Sequence, residues 1–273
     1  MTRKWGTVLI HLALVAASLV TIFPLLWMVS ASLMPTGEAM MYPPRLYPSS
    51  VTLEHYRDIF TRLDLGRSFL NSTLVAVAVT SISLLVNSMA GYAFAKLRFR
   101  RRNTLFALLV GALVIPTQVG MLPLFLMLKS IGLVNTYAGV IIPGLASIFG
   151  IFLMRQFMLS IPDELLDAAR IDGASEFRIY WSIVLPLARP ILVTLAIFTF
   201  MTSWNDFMWP LIVLADDSHY TLPVSLANLV GEHVQDTELM MASSVLTVLP
   251  VLILFLALQR HYIAGIMVGS VKG

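Results

Sequence analysis

The chain has 273 residues, 58% of them hydrophobic and 12% charged, with a mean hydropathy of +0.84 and a formal net charge of +3. A soluble domain carries about 25% charged residues, so water is excluded as the only solvent. Cysteine is absent, which excludes disulfides, thiolate metal sites and cysteine nucleophiles.

The charges are clumped, and the gaps between them define the elements. Residues 8–33 carry no Lys, Arg, Asp or Glu and predict a first membrane span. "SAS" at 30–32 resembles a signal-peptide cleavage site. The apolar run before it exceeds the 7–15 residues of a signal core, so a retained helix is expected. Residues 34–67 form the longest outer loop. Within it "MYPPRLYPSS" reads as extended. "LEHYRDIF" reads as a short surface helix with Leu53, Tyr56, Ile59 and Phe60 on one side.

A second uncharged stretch covers 68–95 and includes Asn71, Ser72, Thr73, Thr80, Ser81, Ser83, Asn87 and Ser88. Such residues suit close helix packing with interhelical hydrogen bonds, or the lining of an aqueous path. Residues 104–128, 130–154 and 239–259 are also uncharged, and 190–215 carries only Asp206. Each stretch meets the roughly 20 residues needed to cross about 30 Å of hydrocarbon. Pro24, Pro116, Pro143, Pro210 and Pro250 do not veto a span, because neighbouring helices can satisfy the freed backbone groups. The reading is an all-α membrane protein with six transmembrane helices and both termini on one side. The N-terminus, 96–102, 155–189 and the tail hold 13 of the 18 Lys and Arg, so that side is expected to be cytoplasmic. The pI near 9.3 is then a topology signal and calls for no nucleic acid.

Between the fourth and fifth spans lies a charged island, "DAARIDGASEFRIYWSIVLPLARP", at 167–190. The pattern from Ser160 predicts a first helix. Ser160 is its candidate N-cap, acids crowd its start, and Gly173 ends it in a left-handed conformation. Ser175 is placed to cap a second helix, with Phe177, Tyr180, Trp181 and Val184 on one stripe against the membrane and Pro186 at its end. Ala168, Ala169, Gly173 and Ala174 form a small-residue patch edged by Asp167, Arg170 and Asp172. A second protein can approach such a patch closely; an amphipathic segment lying on lipid explains the stripe but not the patch.

The island resembles the EAA loop of permease subunits in type I ABC importers: Glu-Ala-Ala, then a Gly, then an apolar-Leu-Pro ending. Asp167 stands where Glu is usual, and Gly173, Leu185 and Pro186 fall in place. The tail "LQRHYIAGIMVGSVKG" and "SWNDFMWPL" are similar to the smaller permeases of maltose-type and glycerol-3-phosphate-type systems. The resemblance implies the importer permease fold in a bacterial or archaeal cytoplasmic membrane. It divides the chain into residues 1–66 (first helix and outer loop), 67–260 (transmembrane core, with the EAA loop at 160–190) and 261–273 (cytoplasmic tail). It makes the island a coupling helix docked in an ATPase subunit through Asp167, Ala168, Ala169, Asp172 and Gly173, with Leu185 and Pro186 completing the motif. Gly269, Val271, Lys272 and Gly273 would reach between two ATPase subunits, which bind ATP and Mg. A second, non-identical permease and an extracytoplasmic solute-binding protein complete the assembly. No cofactor is implied on this chain. It also lacks G-x-x-x-x-G-K-[ST], so the nucleotide chemistry falls to a partner and the chain is expected not to be an enzyme.

Asp206 is the one acid within an expected span. With Trp204 and Asn205 it is a candidate for the substrate pathway; an interfacial tryptophan belt beside a solvated Asp is the other reading. His11, also within a span, reads as packed or snorkelling. No Lys or Arg lies inside a span, which favours a neutral solute such as an oligosaccharide, disaccharide or polyol over glycerol-3-phosphate. An ion-coupled secondary transporter would want paired intramembrane charges. A membrane enzyme would want clustered His, Asp or Glu, whereas His11, His55, His219, His233 and His261 are scattered.

Overall fold

The computed structural model describes the backbone of residues 2–61, 64–232 and 236–270, and the side chains of 7–61, 64–228 and 236–257. Among these the regular elements are all helical. They run α1 (Thr2–Ala31), α2 (Glu54–Thr61), α3 (Leu65–Lys96), α4 (Arg102–Gly111), α5 (Met121–Ser130), α6 (Tyr137–Ile141) and α7 (Ile148–Met158). Then come α8 (Asp163–Ile171), α9 (Glu176–Ile179), α10 (Leu185–Leu187), α11 (Arg189–Trp204), α12 (Met208–Val213), α13 (Leu222–Glu232) and α14 (Thr237–Ser270). Four stretches are long and apolar enough to cross a membrane: Thr7–Ala31, Leu65–Lys96, Tyr137–Met158 and Thr237–Ala257. Two bent pairs raise the count to six if each is one span.

One of these pairs lies where a single span is expected at 104–128. Arg102–Val114 and Thr117–Ser130 are two arms bent by 98°. Pro116 causes the break: it has no N–H to continue the ladder. Its ring also pushes Ile115 into extended backbone, φ −81° and ψ 118°. The fourth span starts at Tyr137, later than its apolar run. The preceding turn holds left-handed Gly132 and Asn135, and Asn135 Oδ1 accepts from the N–H groups of Ala215 and Asp216.

The chain forms two compact units. The first comprises 1–67 and 222–250. Its buried centre is Ala31, Met34 and Ala39, with Trp27 and Met241 packed on it. Buried Glu38 accepts from Arg45 and from Ser49, and Glu238 accepts from the Ala39 N–H. The apolar side expected of α2 is only half buried: Ile59 is buried and Tyr56 half-buried. Leu53 and Phe60 are 65% and 54% exposed, and His55 and Ile59 face inward. Polar anchors fix the helix: His55 Nε2 bonds the Met34 carbonyl, and Tyr56 Oη bonds Ser32 Oγ. Residues 7–26 of α1 are exposed throughout. His11 among them bonds the Thr7 carbonyl one turn back.

The second unit comprises 68–221 and 251–273, with two apolar clusters along α3. Val75 and Val79 pack with Leu128, Val140, Trp209 and Val213. Tyr92 and Ala95 pack with Met154, Met158, Leu166, Ile179, Tyr180 and Val184. Two polar residues of α3 serve this packing. Asn71 donates to the Ser218 and Tyr220 carbonyls and accepts from Tyr137. Asn87 is fully buried, donates to Ser83 and accepts the Ser147 N–H at the start of α7. Glycine permits the approach of α3 to α7: a Cβ on Gly91 would lie 2.6 Å from Met154 Cβ.

Candidate functional site

The island folds as a helical corner. Asp163, Glu164 and Asp167 suit the positive end of α8. Ser160 does not cap it. Its hydroxyl donates instead to the Phe157 carbonyl, because Ser160 lies in the turn that closes α7, and α8 begins directly after Pro162. Gly173 ends α8 with φ +82°, as its position predicts. Its N–H reaches the Arg170 carbonyl and that of Ala174 the Ala169 carbonyl. Ser175 caps α9 by accepting the Arg178 N–H.

After α9 the helix widens into a π turn, Tyr180–Val184, in which the Leu185 N–H reaches the Tyr180 carbonyl. The aromatic stripe is divided between two faces. Ile179, Tyr180 and Val184 are buried, whereas Phe177 and Trp181 are 63% and 43% exposed. The single stripe expected at Phe177, Tyr180, Trp181 and Val184 is split. Pro186 does not stop the helix; it sits in the first turn of α10, where its missing N–H costs nothing.

The corner presents Asp167, Ala168, Asp172 and Gly173 to solvent; Ala169 is half-buried against the core. Ile171 beside them is 87% exposed. Leu185 is partly buried and Pro186 exposed. Arg170 ties the corner together. Its Nη1 donates to Asp167 at 2.6 Å, and its Nε and Nη2 donate to Glu176 at 2.7 and 3.3 Å. Hydrogen bonds from Arg170 hold the Glu176 carboxyl below the usual carboxylate range, against the opposing effect of burial. Glu176 Oε2 also accepts from Tyr92 Oη of α3 at 2.5 Å.

Lys96, the last residue of α3, donates to the Ile161 carbonyl and to Asp163, each at 2.6 Å. Its ammonium holds the Asp163 carboxyl below the usual range. Asp163 is 74% exposed and Lys96 4%, so solvent weakens the ion pair, and the bond to the Ile161 carbonyl fixes position more firmly. Composition gave no sign of Tyr92 or Lys96. Their spacing from Ser88, four residues apart on one helical face, was the available signal.

The three candidate pathway residues part company. Trp204 is 1% exposed, stacked on Phe200 and edge-on to Phe69. Asp206 is half-buried and accepts the Trp209 N–H at the start of α12. Asn205 is exposed and ends α11 by donating to the Met201 carbonyl. These local bonds break the apolar stretch after α11, about 24 Å from its start. Asn205 lines an open recess of about 370 Å³ with Phe198, Met201, Thr202 and Phe255. Trp209 is buried and donates to the Gly139 carbonyl. Of the expected tail site, Val271, Lys272 and Gly273 lie outside the described residues, and Gly269 is described only as backbone of α14.

Residues 87–268 match the family described as the inner membrane component of binding-protein-dependent transport systems. The chain is 40% identical to an arabinooligosaccharides transport system permease protein of Halalkalibacterium halodurans, over all of both chains. It is 36% identical to the protein of that description in Bacillus subtilis, covering 94% of this chain and 92% of that one. Its fold matches the crystal structure of a bacterial ABC transporter involved in the import of the acidic polysaccharide alginate. There the TM-score is 0.86 at 23% identity, covering 96% of this chain and 98% of the other. The chain belongs to the family of inner-membrane components of binding-protein-dependent transport systems.

Proposed function

We propose that this chain is the membrane-spanning permease subunit of an ATP-driven sugar importer, coupled to a separate ATPase through residues 160–190. The observation that carries the coupling role is the α8–α9 corner. It exposes small residues around a left-handed glycine while Arg170, Glu176 and Lys96 hold its frame. A cleft on another protein can close around Asp167, Ala168, Ala169, Asp172 and Gly173, and a push there has a rigid frame to act on. Leu185 and Pro186 set where the following span begins. The tail from Gly269 to Gly273 is assigned to the same ATPase dimer. ATP and Mg belong to that dimer, a second permease completes the path, and a solute-binding protein delivers cargo from outside. The excess of Lys and Arg on one set of segments supports cytoplasmic termini. The division into 1–66, 67–260 and 261–273 follows from this reading.

A neutral oligosaccharide, disaccharide or polyol is favoured as cargo. The stretches 8–33, 68–95, 104–128, 130–154, 190–215 and 239–259 contain no Lys or Arg to meet a phosphate, and the recess beside α11 offers Thr202 and Asn205 among aromatic rings. The relatives named for arabinooligosaccharides support the same class. The test is reconstitution of the complete complex in proteoliposomes with its binding protein. Hydrolysis and uptake are followed with arabino-oligosaccharides, disaccharides, polyols and glycerol 3-phosphate. Stimulation by a neutral sugar is expected. Stimulation by glycerol 3-phosphate alone overturns the cargo, and uptake that survives ATP depletion but fails with an uncoupler overturns the ATP-driven reading.

A further inference from the structure

We infer that the inner half of α3 is the lever through which the cytoplasmic corner acts on the membrane-spanning core, with Tyr92, Glu176 and Arg170 as the latch that makes the two move as one body. The inference rests on the coupling role proposed above. Ser88, Tyr92 and Lys96 lie four residues apart, on one face of α3 about 12 Å long. Each grips a different part of the loop. Lys96 holds its entry at the Ile161 carbonyl, Tyr92 its middle at Glu176, and Ser88 Oγ its exit at Tyr180 Oη, 2.7 Å away. Beneath these bonds Tyr92 and Ala95 share a buried core with Leu166, Ile179 and Val184. The same helix continues past Asn87, which grips the start of α7, to Asn71, which grips the segment at 218–220. A displacement of the loop therefore enters a single rigid element that already holds other parts of the core.

Arg170 has a separate task. The left-handed turn at Gly173 leaves the corner free to hinge, and Arg170 removes that freedom by bonding Asp167 on α8 and Glu176 on α9 together. Asp167 faces outward with the docking patch, so a force on it runs through Arg170 and Glu176 to the Tyr92 hydroxyl. Tyr92 and Glu176 are positioning residues; they lie outside the patch itself.

The test uses the complete reconstituted complex. Tyr92→Phe removes one hydroxyl and keeps the ring; Glu176→Gln keeps the shape and removes the charge. Both variants are expected to retain the ATPase subunits at parental yield and basal hydrolysis within about twofold, while cargo-stimulated hydrolysis and uptake fall roughly tenfold. Combined, the two substitutions should cost no more than either alone, since they break one link. A distance readout separates linkage from packing. The chain has no native cysteine, so Met89→Cys on α3 and Glu164→Cys on α8, labelled on the purified chain before assembly with its partners, give a defined spin-label pair. The interlabel distance should stay constant between nucleotide-free and ATP-trapped states in the parent and broaden in Glu176→Gln. Full stimulation in both variants overturns the lever, as does a parental distance that shifts by more than about 5 Å, one helical turn. A parent that retains no ATPase subunits overturns the proposed function as well.

Discussion

Gly173→Trp places a large side chain at the tip of the proposed docking corner, and the structure separates its two effects. A Cβ at Gly173 meets nothing within 4 Å, so bulk there strains no internal packing. The backbone does resist: φ is +82°, and a residue with a Cβ pays about 1–2 kcal/mol in that region. A fold stabilised by about 5–15 kcal/mol survives that loss. The hydrogen bonds that close the turn use backbone atoms and persist. Gly173→Ala carries the same backbone cost without the bulk, and so serves as the control. Both variants should insert in the membrane and unfold a few degrees below the parent. Gly173→Ala should keep the ATPase subunits through purification, and Gly173→Trp should lose them or lose at least about tenfold of the cargo-stimulated hydrolysis. A Gly173→Trp complex with full assembly and full stimulation refutes docking at this corner. Loss in Gly173→Ala as well would assign the effect to backbone strain.

Gly91→Ala should destabilise the chain by about 1–3 kcal/mol, because its Cβ meets Met154 Cβ at 2.6 Å and the Arg155 backbone N at 3.0 Å; an unchanged thermal unfolding curve contradicts this. Asn71→Ala leaves the Ser218 and Tyr220 carbonyls and the Tyr137 hydroxyl without their shared partner. The loop at 214–221 should then be cut faster by added protease, and parental cleavage rates count against it. Trp204→Ala should cost about 3–5 kcal/mol of stability, whereas Asn205→Ala should leave melting unchanged and alter uptake; the reverse pattern removes the recess from the pathway. The Glu176 carboxyl is held below the 4.5 usual for glutamate by its hydrogen bonds to Arg170. Its contribution is therefore full above pH 4.5 and is lost as pH falls through the depressed value. As pH falls from 4.5 through the depressed value the parent should lose stability more steeply than Glu176→Gln, and parallel curves contradict the latch.

What was legible in the residues themselves is what depends on near neighbours along the chain. Uncharged stretches long enough to cross hydrocarbon announce membrane helices because every residue pays or gains its own transfer energy. Gly173 and Ser175 were readable for a related reason: a left-handed turn and a helix cap are settled within four residues. The position of the break at Pro116 was also implicit; its 98° angle was not, since the packing of both arms sets it. Tertiary contact decided which aromatic residues face inward. Packing against α3 and α7 buries Tyr180, whereas Phe177 and Trp181 are exposed, and the sequence pattern does not say which of them faces inward. The latch was equally invisible, because Tyr92 and Glu176 are 84 residues apart in the chain. Composition can say that a tyrosine and a glutamate exist; only the close approach of α3 to the loop brings a phenol to a carboxylate and turns an ordinary span into the helix that grips the corner.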